Sequence, residues 1–280
     1  MDERLHRVAA AANDLVYDRK DAKTYIQGAP HIKHASLRNL YGKLLLDVYD
    51  VAVSHTPHPK VLDLGAGEGS VTLAFLELGV DVVAVDISRR QCDNLLEKCE
   101  KYSARLEVQC ADVNDFLNQS DAKFDIIAIN SFLHHIPDYL GLIDRALDLL
   151  NPNGQFFSFQ DPLRYDSLSL ATRTFKNLAY GSWRITRGDV LGGMRRRLRR
   201  SRGIYHEDAL EDQAEYHAMR NGVDQDAIRA LFEKRNFDCQ IVKYFSTQSP
   251  VFQPIGAALG MKNLFGIVAR AGNSPHSTAE

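Results

Sequence analysis

The chain has little of what marks several protein classes. It holds 4 cysteines in 280 residues, Cys92, Cys99, Cys110 and Cys239, with no CxxC spacing and no His/Cys cluster. That argues against a disulfide frame or a zinc site and fits reduced thiols in a cytoplasmic protein. No stretch approaches the roughly 20 apolar residues a bilayer span needs. The most apolar late segment, 255–271, is interrupted by Lys262 and Asn263. The opening MDERLHRVAA is charged and lacks the apolar centre of a secretion signal. A formal net charge of -2 makes the chain no polycation, so binding to nucleic acid would need a local patch. What is present is 45% hydrophobic and 25% charged residues, enough for one sizeable core with an appended cap.

Residues 1–56 read as amphipathic helices. Leu37, Leu40, Tyr41, Leu44, Leu45 and Val48 recur at helical spacing, and Gly28 and Pro30 break the helix before them. From Lys60 the pattern changes to short apolar runs alternating with helical ones: KVLDL, DVVAVDIS, LEVQCAD, FDIIAIN and QFFSFQD as strands, with helices between. Such alternation predicts a parallel sheet covered by helices on both faces. Ligands of these sheets sit at the carboxyl ends of the strands, here from Gly65 onward, then at Asp86, Asp112, Asn130 and Asp161. Residues 163–222 interrupt the alternation with a polar, Arg- and Tyr-rich stretch. A helix and two closing strands follow, joined by a loop holding Pro250 and Pro254, which predicts an antiparallel hairpin at the sheet edge. The tail, 273–280, is polar and expected to be disordered.

The segment VLDLGAGEGS, 61–70, carries glycines at positions 65, 67 and 69. A Walker-type phosphate loop needs Lys and then Ser or Thr after its last glycine, and here Ser70 and Val71 follow. A dinucleotide loop wants a third glycine where Ser70 stands. The third possibility is a loop around a nucleoside that bears an amino acid. Asp63 inside the first strand suits an ammonium group better than a phosphate. Asp86 is placed to accept from a ribose diol, and Asp112 from an adenine amino group. Two roles stay open for Asp63, charge partner of the ligand or structural acid bonding loop amides. Gly69 has a packing role open to it, and Asp115 is expected to cap the next helix.

The segments VLDLGAGEGS, VDIS, CADVNDF and FDIIAINSFLHHIPD, in that order, resemble the class I S-adenosylmethionine-dependent methyltransferases over roughly 58–162, with the closing strands at 239–271 added. The resemblance implies an α/β, Rossmann-like, seven-stranded and mostly parallel sheet whose last strand is antiparallel. It implies a core at 57–162 and 223–272, an N-terminal helical cap at 1–56 and a substrate-covering insertion at 163–222. It also implies S-adenosylmethionine as cofactor and S-adenosylhomocysteine as product. Gly65, Ala66 and Gly67 would line the methionine part together with Asp63, Asp86 would hold the ribose, Ile87 would touch the adenine, Asp112 and Val113 would sit at its amino edge, and Asn130 would lie beside the sulfonium. Tyr25, or Tyr17, would pack over the cofactor. Metal-dependent members carry an acid where Asn130 stands, so no metal is expected.

Methyl transfer is an in-line displacement in which the enzyme supplies proximity, and an oxygen nucleophile also needs a base. His134 and His135 are the candidate bases, the competing role being to orient the loop and start the next helix. Tyr205, His206 and His217 are further candidates. The run Arg195–Arg202 reads mainly as a solvated face, with one or two arginines reaching an anionic group. The expected acceptor is a small molecule, with an anionic group as one option and O-methylation preferred over N- or C-methylation; neither nucleic acid nor membrane insertion is expected, and the oligomeric state is left open. The alternatives are a non-methylating protein on the same fold, a macromolecule methyltransferase using the arginine run, and an NAD-dependent oxidoreductase, the last disfavoured by Ser70 and the closing strands.

Overall fold

The computed structural model describes residues 29–186 and 216–272. Tyr17, Tyr25, the run Arg195–Arg202, Tyr205, His206 and the tail at 273–280 lie outside the described residues.

Seven strands form one sheet: β1 Lys60–Leu64, β2 Asp81–Asp86, β3 Leu106–Cys110, β4 Phe124–Asn130, β5 Leu150–Pro162, β6 Phe237–Tyr244 and β7 Leu264–Ala271, ordered β3-β2-β1-β4-β5-β7-β6. The pairs from β3 through β5 are parallel, whereas β7 runs antiparallel to both β5 and β6. The antiparallel strand therefore lies one place in from the edge, and β6 forms the edge. The expected closing loop contains a short helix at Phe252–Ala258. Pro254 is tolerated there because an amide in the first turn has no intrahelical acceptor to lose.

The central strands read as unbroken apolar runs because both of their faces are buried. Successive side chains point to opposite faces, so each strand feeds two cores. On one face Leu62, Leu64, Val83, Val85, Ile127, Ile129 and Phe156 pack with α6 (Tyr139–Asp148) and α9 (Gln225–Lys234). On the other, Val61, Val82, Ala84, Ile126, Ala128, Phe157 and Phe159 pack with α2 (Ala35–His55) and α3 (Ser70–Glu77). The stripe expected on α2 is the one it buries: Leu37, Leu44, Leu45 and Val48 are inside, with Leu40 and Tyr41 packed against the same core. A short helix α1 (Pro30–Lys33) precedes it, while α4 (Arg89–Lys98) and α5 (Val113–Gln119) flank β3, and α7 (Leu170–Thr186) and α8 (Tyr216–Met219) follow β5.

The two ends of the 163–222 stretch meet. Leu163 bridges Val223, Tyr165 N donates to Asn221 O at 2.8 Å, and the Arg164 guanidinium lies on Asp224 at 2.5 Å. Both ends of that stretch therefore lie beside the carboxyl end of β5.

Candidate active site

The three glycines of the β1–α3 loop all adopt positive φ, 70° at Gly65, 51° at Gly67 and 83° at Gly69. Side-chain-bearing residues pay for this conformation, and the three glycines differ in what surrounds them. A Cβ on Gly65 would lie 2.3 Å from the Phe132 ring, and one on Gly69 would lie 2.3 Å from Leu95 Cδ1. A Cβ on Gly67 would meet nothing within 4 Å. Gly69 thus serves helix packing, Gly65 the approach of Phe132, and Gly67 a turn that faces open space.

Asp63 lies beneath this loop and is 1% exposed. It accepts from Thr72 N at 3.1 Å and Thr72 Oγ1 at 2.6 Å, which ties β1 to the first turn of α3. Burial pushes its carboxyl up to about 7; the Thr72 bonds oppose the shift, and the charge of Asp86 adds to it.

Asp86 ends β2. Its Oδ2 accepts from Gly67 N at 2.8 Å and its Oδ1 from Ser88 N at 2.9 Å, so it grips the glycine loop and its own turn at once. Ile87 follows, half-buried. The end of β3 adjoins this turn through Ala111 N, which donates to Asp86 O at 3.0 Å. Asp112 caps α5 by accepting from Asn114 N at 2.8 Å, and Val113 is buried behind it. The expected cap, Asp115, sits instead inside the first turn, because the helix begins three residues earlier, straight off β3. A groove of about 520 Å³ touches the site at Ala111 and Asp112 but runs away past Val83 toward Lys60, at the amino ends of the strands.

Asn130 ends β4. Its Nδ2 donates to Ser70 Oγ at 3.0 Å, and its Oδ1 is buried with no partner among the described residues. Ser131 then turns with φ 55°, and a 3-10 turn, Leu133–His135, buries both histidines. His134 donates its backbone N–H to Asp161 Oδ1 at 3.1 Å, and its Nδ1 lies 2.8 Å from the same oxygen. With Oδ1 already accepting the backbone N–H, the Nδ1–H tautomer fits this contact and leaves Nε2 as the basic nitrogen. Asp161 is wholly buried, and its Oδ2 has no partner among the described residues. The His135 ring packs 4.1 Å from that of His134 and 6.2 Å from Phe132. His217 is held elsewhere: its Nε2 faces Pro137 O at 3.2 Å, its ring packs 4.9 Å from Tyr139, and burial lowers its pKa.

The glycine loop, Asp86, Ile87, Asp112, Val113, Asn130 and His134 thus gather along one edge of the sheet. Three neighbours were not named as site residues from the sequence. Asp161 is the penultimate residue of β5, a position the strand pattern marks. Phe132 is marked by nothing in the sequence. His31 of α1 is 5% exposed, lies 5.4 Å from the Tyr41 ring and 6.3 Å from Phe159, and has Nε2 unpartnered among the described residues. Burial lowers its pKa to about 4, so its ring is neutral near pH 7.

A family model described as a methyltransferase domain matches residues 33–241. The chain belongs to the methyltransferase-domain family. Among curated relatives, the ubiquinone biosynthesis O-methyltransferase of Actinobacillus pleuropneumoniae serotype 7 (strain AP76) is 28% identical over 123 residues, 42% of this chain and 53% of the relative. The protein of the same name from Coxiella burnetii (strain Dugway 5J108-111) is 32% identical over 97 residues, 35% of this chain and 41% of the relative. The chain thus spans about half the length, or less, of the curated relatives it matches. Among solved structures, the plantazolicin methyltransferase BpumL in complex with S-adenosylhomocysteine aligns with TM-score 0.54 at 12% identity, covering 97% of both chains. N-methyltransferase NodS from Bradyrhizobium japonicum WM9, also with S-adenosylhomocysteine, aligns with TM-score 0.52 at 11% identity, covering 98% of this chain and all of the other. At such identities the likeness is one of fold alone, and this methyltransferase-domain protein shares its overall fold with both. No helix among its described residues is long and apolar enough to cross a membrane.

Proposed function

We propose that this protein is an S-adenosylmethionine-dependent methyltransferase that methylates an oxygen of a small molecule and releases S-adenosylhomocysteine. The observation that carries the proposal is the set of polar groups aligned along the carboxyl ends of β1 to β4. An open glycine turn, the ribose-type carboxylate of Asp86, the capping Asp112 and the unpartnered buried Oδ1 of Asn130 follow in that order. A buried acceptor without a partner costs about 1–3 kcal/mol, a cost a ligand can relieve. Gly65, Ala66 and Gly67 would hold the amino-acid part, Asp86 the ribose, Ile87, Asp112 and Val113 the adenine, and Asn130 the region of the sulfonium. Each Asp86 oxygen takes a backbone N–H, from Gly67 and from Ser88, which holds the carboxylate at the carboxyl end of β2 where a ribose diol would meet it. Asp63 acts from below by fixing the first turn of α3.

When bound, S-adenosylmethionine supplies an activated methyl group on sulfur. The chain's own residues orient the acceptor, exclude water and receive its proton. His134, held by Asp161, takes the hydroxyl proton at Nε2, and the buried Asp161 carboxylate stabilises the imidazolium that results. General-base assistance of this kind contributes about 10²–10⁴-fold. The names of the curated relatives support oxygen as the acceptor atom. The test is mass spectrometry of hydroxylated and carboxylated metabolites incubated with the enzyme and S-adenosylmethionine, read for the gain of one methyl in place of hydrogen. Calorimetry with S-adenosylhomocysteine and NAD runs beside it. Binding of NAD without S-adenosylhomocysteine would overturn the cofactor assignment, and methylation confined to nitrogen acceptors would overturn the choice of oxygen.

A further inference from the structure

Two of the four cysteines converge on the turn that carries Asp86. Cys110 is the last residue of β3 and pairs in register with Asp86, while Cys92 lies in the first turn of α4. The Cys92 Sγ is 3.5 Å from Asp86 O, and the Cys110 Sγ is 3.8 Å from Ile87 O. The sulfurs therefore hang on carbonyls of consecutive residues, close enough that Cys110 adds to the cost of ionising Cys92. Their surroundings differ: Cys92 is 3% exposed, whereas Cys110 is open to solvent.

We propose that Cys92 and Cys110 form a redox modification site, in which a low-molecular-weight disulfide such as glutathione disulfide converts the two thiols to an intramolecular disulfide that weakens adenosyl binding at Asp86. This rests on the cofactor reading above. The exposed Cys110 gives up its proton to solvent, and its thiolate attacks one sulfur of glutathione disulfide, displacing one glutathione thiolate. Cys92 then loses its proton, and its sulfur attacks the Cys110 side of the mixed disulfide, displacing the second glutathione. Two protein thiols are oxidised, one glutathione disulfide is reduced to two glutathiones, and the protons end on the thiolates released. Burial, first, and the Cys110 sulfur, next, push the Cys92 thiol well up, which leaves the first attack to the exposed Cys110; Cys92 resolves the mixed disulfide because its sulfur is held beside that of Cys110. An S–S bond of about 2.05 Å draws both sulfurs off the carbonyls of residues 86 and 87 and pulls the turn with them.

The test uses the reduced full chain, treated with glutathione disulfide and followed by intact mass, peptide mapping and calorimetry with S-adenosylhomocysteine. The expected result is loss of two hydrogens, a 92–110 crosslink, and S-adenosylhomocysteine affinity about tenfold weaker, restored by dithiothreitol. Cys110→Ser should bind S-adenosylhomocysteine as the reduced wild type does and show no response to the oxidant; Cys92→Ser should likewise form no crosslink. Absence of the crosslink, or a crosslink that leaves affinity within about twofold, overturns the proposal. Failure of the reduced protein to bind S-adenosylhomocysteine overturns the cofactor reading instead, and the coupling to it with it.

Discussion

Replacing Asp63 by Asn should make the protein more stable above neutral pH and no more stable below about pH 5. The carboxyl is wholly buried and its pKa stands at about 7, against an ordinary 3.8, mainly through desolvation. Between those two values the folded state holds a proton that the unfolded state has released, so stability falls as pH rises through this window. Above about 7 the whole penalty is in place; below the unfolded value there is none. About three pKa units at about 1.4 kcal/mol each give roughly 4 kcal/mol as the upper size of the effect. Asn keeps an oxygen to accept from Thr72, but its amide N–H needs a partner, which returns about 1–3 kcal/mol. The net gain at about pH 8 is therefore about 1–3 kcal/mol. Glu68, also pushed up to about 7 by burial, gives the wild type a second contribution of the same sign. His31, lowered to about 4, acts oppositely: its neutral form supports folding at neutral pH, and that support is lost as pH falls from the ordinary 6.5 toward 4. The wild-type profile mixes these with other shifted groups such as His217, so the informative quantity is the difference between Asp63→Asn and wild type. Urea unfolding at about pH 5 and about pH 8 measures it. A difference that is the same at both pH values, or a variant less stable at the higher one, would refute a desolvated Asp63.

Asp86→Ala should weaken S-adenosylhomocysteine binding by about 1–3 kcal/mol, since the change removes a carboxylate that braces Gly67 and is proposed to hold the ribose; calorimetry showing unchanged affinity would remove Asp86 from the cofactor site. Gly65→Ala should lower stability by more than Gly67→Ala. Both have positive φ, costing about 1–2 kcal/mol, but only at position 65 does the new methyl strike a ring, that of Phe132; equal thermal midpoints for the two would count against that packing. Asp161→Asn should reduce the methylation rate by about 10²–10⁴-fold while leaving S-adenosylhomocysteine affinity within about twofold. A parallel loss of cofactor binding would make Asp161 a scaffold for the whole edge rather than the residue that positions His134.

Much of this arrangement is legible along the chain because it is local. Runs such as DVVAV and FDIIAI are strands buried on both faces, and their polar termini mark the ligand edge. The glycines of the loop follow from backbone sterics within five residues. Asp112 and Asp115 show where local reading fails. Both acids can cap a helix, and the choice falls to Asp112 because α5 starts directly from β3. The strand order at the far side is equally hidden, since periodicity does not say whether β7 lies outside β6 or between β5 and β6.

The sequence by itself determined the alternating α/β pattern, the glycine turn and the acids at the ends of β2 and β3, since each follows from propensity and spacing over a few residues. The tertiary structure alone decided what those groups do to one another. His134 meets Asp161 across 27 residues, and Asn130 meets Ser70 across 60. Asp63 acquires its shifted carboxyl only after the sheet and α3 remove water from it. Contacts between strand ends depend on which strands become neighbours, and desolvation depends on what covers them; both are set by the packing of the whole sheet.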